Sequence, residues 1–232
     1  MEFFEAVNAR RSVRKYHAKG IPPEVVSKAL DAALLAPNSS NMQPWEFYWV
    51  RSADKKKALV EACLGQPAAS TAAELVVAVA RTDTWRRNRK LMMETLKGAK
   101  GVPKAAIDYY GKLIPIAYTQ GFLSSLGLVK AIISNAIGLF RPIPRGPFSR
   151  GGQIAMVEKT TALACENFML AVAAQGYGTC PMEGLDARRV KKILKLGCGA
   201  HVVMAISVGE PDPDGIYGKR IRFDRELFIK EV

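Results

Sequence analysis

The sequence has only two histidines, His17 and His201, and its four cysteines (Cys63, Cys165, Cys180 and Cys198) stand singly with no CxxC pair. Zinc and haem sites therefore lack clustered ligands, no metal is expected, and a disulfide framework is not expected to stabilise the fold. No GxGxxG turn is present, so nothing marks a resident dinucleotide. There is no helix-turn-helix, zinc-finger or aromatic RNA-binding signature, which argues against nucleic acid as a partner. The opening stretch, MEFFEAVNARR, sets acidic residues before basic ones, the reverse of a secretory leader, so a cytoplasmic, reduced setting is expected.

What is present suits one folded domain. The 232 residues are 49% hydrophobic and 24% charged, enough for a single α/β or α+β core without disulfides or metal. Lys and Arg number 34 against 21 Asp and Glu, a formal charge of +13 that invites anionic partners. The excess is uneven. Residues 85–157 hold twelve basic and two acidic side chains, and within them 113–140 carry a single charge, Lys130. Pro115, Gly121, Gly127 and Gly138 interrupt that apolar stretch, which favours a helical lid or a surface-resting segment over a membrane span.

Periodicity predicts helices over 2–10 and 22–36, the second opened by two prolines and closed by Pro37. Aromatic and β-branched runs at 46–51, 74–81 and 201–209 read as strands, with a helix near 53–64. Residues 155–175, with Leu163, Phe168, Met169 and Val172, read as the core helix. Residues 177–181 then lead into a turn, and Asp186 caps a basic helix reaching about Leu196. The last twenty residues show no obvious element.

Four segments carry chemistry. Arg10, Arg11, Ser12 and Arg14 gather three guanidinium forks and a hydroxyl suited to a phosphate, although a solvated charge run is the commoner case. Residues 37–45 (PNSSNMQPW) are dense in small amides and hydroxyls, which can close a turn or meet a polar ligand such as a flavin's ribityl chain or pyrimidine edge. Residues 180–184 (CPMEG) follow Gly-Tyr-Gly-Thr and can aim backbone N–H groups at a ring nitrogen or a developing charge. Residues 219–222 (KRIR) put Arg220 and Arg222 on one side of an extended segment.

In order and spacing the four segments resemble the FMN-dependent nitroreductase superfamily, from Phe4 to about Leu64, over 74–81, and from Thr160 to Arg222; residues 83–159 lie outside the shared pattern. The resemblance implies an α+β nitroreductase-like fold, with a small, mostly antiparallel central sheet flanked by helices. It also implies a homodimer with an exchanged C-terminal segment and FMN at the subunit interface. By matching positions, Arg10, Arg220 and Arg222 would hold the phosphate with help from Ser12, and Arg14 would face the N1–O2 edge of the ring. Pro37, Asn38, Ser39 and Asn41 would reach the FMN of the other subunit. The Met182, Glu183 and Gly184 backbone would lie near N5, and Gln66 would supply an amide to the pyrimidine edge. Arg11 and Pro181 belong to the same cofactor-binding set.

The implied activity is an FMN-dependent oxidoreductase. It would take hydride from NADH or NADPH, bound transiently, and pass it to a small electron-poor acceptor such as a nitroaromatic or quinone, with ping-pong kinetics. Flavin N5 would carry the hydride, so no side chain is expected to be catalytic. Residues 85–157 are expected to form a lid on this single domain, with weak peripheral membrane contact through 113–140. A second reading is a basic binding protein for an anionic membrane or nucleic acid, built on a vestigial flavin fold; the colour of the purified protein separates the two.

Overall fold

The computed structural model describes all 232 residues, the side chain of Leu123 excepted. The chain begins with α1 (Phe3–Ala9), closed by a reciprocal cap: the Glu2 carboxylate accepts from the Phe3 N–H at 3.0 Å and the Glu5 carboxylate from the Glu2 N–H at 3.1 Å. Helix α2 (Pro23–Leu34) opens on a proline, whose missing N–H has no partner to lose at that position. Strand β1 (Trp45–Trp49), α3 (Ala53–Ala62), a single turn α4 (Pro67–Ser70) and β2 (Glu74–Arg81) follow. A helical segment comes next: α5 (Trp85–Gly98), α6 (Lys104–Asp108), a π turn, α7 (Ile114–Tyr118) and α8 (Ser125–Ile137). Helix α9 (Arg150–Ala174), β3 (Gly178–Met182), α10 (Ala187–Ile193) and β4 (Ala200–Gly209) complete the core.

The four strands form one sheet in the order β1-β2-β4-β3, every neighbouring pair antiparallel. Central β2 is buried on both faces, which is why its sequence reads as a continuous apolar run. Its alternate side chains divide the core. Leu75, Val77 and Val79 pack with Leu59 and Ala62 of α3 and Val190 of α10, while Val76 and Ala78 pack with Val26 and Ala29 of α2 and Phe168 and Val172 of α9. Each of the Val, Leu and Phe side chains among them contributes about 1.5–3 kcal/mol on burial.

Three expectations need correction. The core helix starts at Arg150 instead of 155, because Ser149 caps it by accepting the Gly152 N–H at 3.0 Å. On that helix Leu163 does not join the core and is 48% exposed. Residues 178–182 form strand β3 where a turn was expected, pairing with β4 along one edge. Pro181 is tolerated because an edge strand has N–H positions that need no ladder partner. Gly178 is required there, since a side chain would come within 2.7 Å of Val13 Cγ2.

The helical segment after β2 has its own small cluster. Met42, Trp85, Ile114 and Tyr118 are buried together, with the Trp85 and Tyr118 rings stacked at 5.8 Å between centroids. Residues 113–140 are broken into short helices, and among the described residues no helix is long and apolar enough to cross a membrane. At the other end of the chain, every residue from 216 to 232 except Arg220 is exposed.

Candidate cofactor site

Residues 10–14 leave α1 as an extended segment beside β3. Ser12 bridges Thr179 in parallel, and the Val13 N–H donates to the Thr179 carbonyl at 2.9 Å. The C-terminal segment is then laid across them: the Arg14 N–H donates to Gly215 O at 2.7 Å, the Arg11 guanidinium to Gly218 O at 2.9 Å, and the Arg220 guanidinium to Asn8 O at 2.8 Å and Arg10 O at 2.6 Å. Gly215 permits this approach, because a Cβ there would meet Lys15 O at 2.3 Å.

The result is a cleft of about 200 Å³ lined by Arg10, Arg11, Ser12, Arg14 and residues 219–222. Six of its lining side chains are cationic and none is acidic. Arg10 is steadied from behind by Glu166 on α9 at 3.8 Å. Arg14 is lightly held, lying 5.2 Å over the Tyr217 ring with one long bond, 3.4 Å, to Ser12 O. The donors of such a cleft suit an anion, because forked, permanently charged N–H groups can meet phosphate oxygens in pairs.

The third segment adjoins this cleft. Burial pushes the Cys180 thiol up while the charges of Arg14 and Arg10 pull it back down, so the start of Cys180-Pro181-Met182-Glu183-Gly184 stands within the field of both arginines. Gln66 reaches the far end of the segment, its Nε2 donating to Gly184 O at 2.8 Å and to Cys63 O at 3.0 Å. The structure therefore places Gln66 against the 180–184 turn, with its amide nitrogen bonded to backbone.

The 37–45 loop lies elsewhere. Asn38 organises it, accepting the Gln43 N–H at 2.7 Å on Oδ1, while Ser40, Asn41 and Gln43 hold positive φ. The helical segment after β2 grips the same loop. Tyr110 Oη donates to Ser40 O at 2.9 Å, and Asn88 Nδ2 donates to Met42 O at 2.8 Å and Gln43 O at 3.1 Å. Pro37, Asn38 and Ser39 line a cavity of about 810 Å³ with Arg145, Lys159 and one face of α9. The two groups of candidate residues thus line separate openings in one chain: 10–14 and 220–222 at one, 37–39 at the other.

Several lining residues escaped the sequence reading. Lys219 stood inside a recognised basic run and Arg145 inside the basic 85–157 stretch, but neither was singled out, whereas Lys159 carried no local signal. Gly215 and Gly218, at +68° φ in the latter case, were the available hint that the chain turns tightly before Lys219.

Comparison with known proteins agrees with this fold. A NADH dehydrogenase of Thermus thermophilus is 26% identical over 216 residues, 93% of this chain and 90% of its own. The solved structure of the Bacillus subtilis protein ydfN superposes with a TM-score of 0.76 at 22% identity, covering 99% of this chain and 98% of that one. A protein of Exiguobacterium sibiricum, solved in complex with FMN, superposes at 0.73 with 21% identity over 100% and 98% of the two chains. Residues 7–210 match the nitroreductase family, a match that runs through residues 85–157 as well, and the chain belongs to that family of oxidoreductases.

Proposed function

We propose that the protein binds FMN between two copies of the chain and works as an NAD(P)H-dependent oxidoreductase on a small electron-poor acceptor. The observation that carries the reading is the cationic cleft, where segments more than two hundred residues apart in sequence converge six positive side chains with no acid among them. A phosphate monoester fits that donor set, and the Gln66 and 180–184 surface beside it supplies the neutral polar groups that a flavin ring requires. When bound, FMN supplies the redox chemistry, taking hydride from transiently bound NADH or NADPH and giving it to an acceptor such as a nitroaromatic or quinone in a second, separate encounter.

The protein's part is binding and electrostatics. Arg10, Arg11, Arg220 and Arg222, with Ser12, hold the phosphate. Arg14 keeps a positive charge where negative charge gathers on reduction, which lowers the cost of accepting electrons. Met182, Glu183 and Gly184 after Pro181 present backbone to the ring edge, and Gln66 fixes that turn. Pro37, Asn38, Ser39 and Asn41 serve the site of the other copy, since in their own chain none of them lines the cationic cleft. Residues 85–157 act as the lid through the bonds of Tyr110 and Asn88 to the same loop.

Assembly as a homodimer is supported by apolar surface that has nothing to pack on in one chain. Phe3 and Phe4 on α1, Leu163 on α9, and Phe223 and Phe228 in the C-terminal segment are all exposed. In the dimer the segment beyond Arg222 crosses to the partner. All four thiols are free, as suits a cytoplasmic, reduced setting. The test is reconstitution with FMN and anaerobic addition of NADH or NADPH. A yellow protein that bleaches, and recovers its colour with a nitroaromatic or quinone, is the expected result. A chain that stays colourless in excess FMN would overturn the reading.

A further inference from the structure

Helix α8 is turned inside out. Leu128, Val129, Ile132 and Ile133 recur at helical spacing along one face, and all four are at least half exposed. Leu139 and Phe140, immediately beyond its end, are 80% and 89% exposed. The side facing the protein is the polar one. Lys130 Nζ donates inward to Ile116 O, Ala117 O and Thr119 O at 3.0, 3.3 and 2.8 Å, satisfying the carbonyls at the end of α7. Gly127 is buried directly against Phe148, with no room for a Cβ. From the other end, Arg145 donates to Asn135 Oδ1 at 2.6 Å and to Gly138 O at 3.0 Å, holding the helix in this orientation.

A helix anchored by its polar side presents its apolar side by construction, and the surrounding charge says to what. Residues 109–157 contain no Asp or Glu. Arg141, directly after Phe140, is exposed, and among the described residues it has no acidic partner. A second copy laid face to face on this patch would oppose like charges, which disfavours an isologous contact. An apolar helical face with basic neighbours instead complements an anionic lipid surface, where apolar side chains enter the acyl boundary and the cations meet headgroups. We infer that α8 is a peripheral membrane-docking element, held outward by Lys130 and Arg145, that seats the protein on anionic bilayers. This inference concerns the lipid surface alone and stands independently of the flavin reading.

The experiment is co-sedimentation of the full chain with phosphatidylcholine vesicles, with and without phosphatidylglycerol, at low and high salt. Binding is expected only with the anionic vesicles, and should weaken at high salt as charges are screened beyond ~8 Å at physiological ionic strength. Ile132→Glu should lower the partition coefficient about tenfold or more by removing buried apolar surface. Arg141→Ala should lower it about fivefold, the worth of one basic residue near such a surface. Circular dichroism and gel filtration establish that both variants remain folded. No sedimentation with anionic vesicles at low salt, or equal sedimentation with neutral ones, would overturn the inference. So would sedimentation velocity in which Ile132→Glu splits an oligomer while the unmodified chain ignores vesicles, since a second copy would then be what covers α8.

Discussion

Arg14→Ala is expected to weaken FMN binding by about ten- to a hundredfold, in line with the ~1.5–3 kcal/mol lost with a charge-assisted hydrogen bond. Reduction by NADH or NADPH should slow as well, because the site loses positive charge where electrons arrive. This arginine is the informative one to remove. Arg220 also fixes the C-terminal segment to the end of α1, and Arg10 is tied to α9 through Glu166, so changing either disturbs the fold as well as the cleft. Arg14 has only the long bond to Ser12 and its place over Tyr217, so the FMN-free variant should melt close to the unmodified chain. Titration of FMN fluorescence gives the affinity and stopped-flow absorbance the reduction rate. If both are unchanged, Arg14 does not belong to the site.

The second large effect is on stability. Phe168 is fully buried at the middle of α9, against Val76, Val26 and the other side chains between that helix, α2 and the sheet. Phe168→Ala should destabilise the protein by about 3–5 kcal/mol, combining the lost transfer free energy with the cavity left behind. That is a large part of the ~5–15 kcal/mol that holds a typical domain together. Chemical denaturation should show a lower midpoint. Because α9 also carries Glu166 behind Arg10 and lines the cavity beside Pro37, the variant should lose FMN at temperatures where the unmodified protein keeps it. A loss below about 1 kcal/mol would mean that the two-faced core is not organised around this helix.

How much of this was legible in the sequence depended on whether a signal was local. The apolar run of β2 and the proline-opened period of α2 declare themselves, and both form as read. Strand β3 did not, because Gly178 and Pro181 are poor strand formers. The strand exists through its partner, β4, and through Val13, which leaves no room for a side chain at 178. The start of α9 at Arg-Gly-Gly-Gln was hidden for a similar reason, with two glycines weakening the helical pattern that Ser149 nonetheless caps.

The site divides along the same line. Arg10, Ser12 and Arg14 stand out as a cluster, but their meeting with residues 219–222 depends on the backbone of Gly215 and Gly218, which no short-range pattern encodes. Likewise the apolar character of 113–140 is plain in the sequence. Which side of α8 faces outward is decided by Lys130 and Arg145 seeking carbonyls, a matter of tertiary structure.

The central claim, that one FMN site is built from two copies of the chain, is tested most directly by complementation between variants. Arg14→Ala and Asn38→Ala chains, each carrying a different tag, are mixed, allowed to exchange, and the doubly tagged mixed dimer is isolated. Each variant alone should bind FMN weakly. In the mixed dimer one site receives both altered segments and the other receives neither, so FMN titration should recover a single tight site per dimer, with the affinity of the unmodified protein. A mixed dimer in which both sites remain as weak as those of the parent variants would contradict the claim.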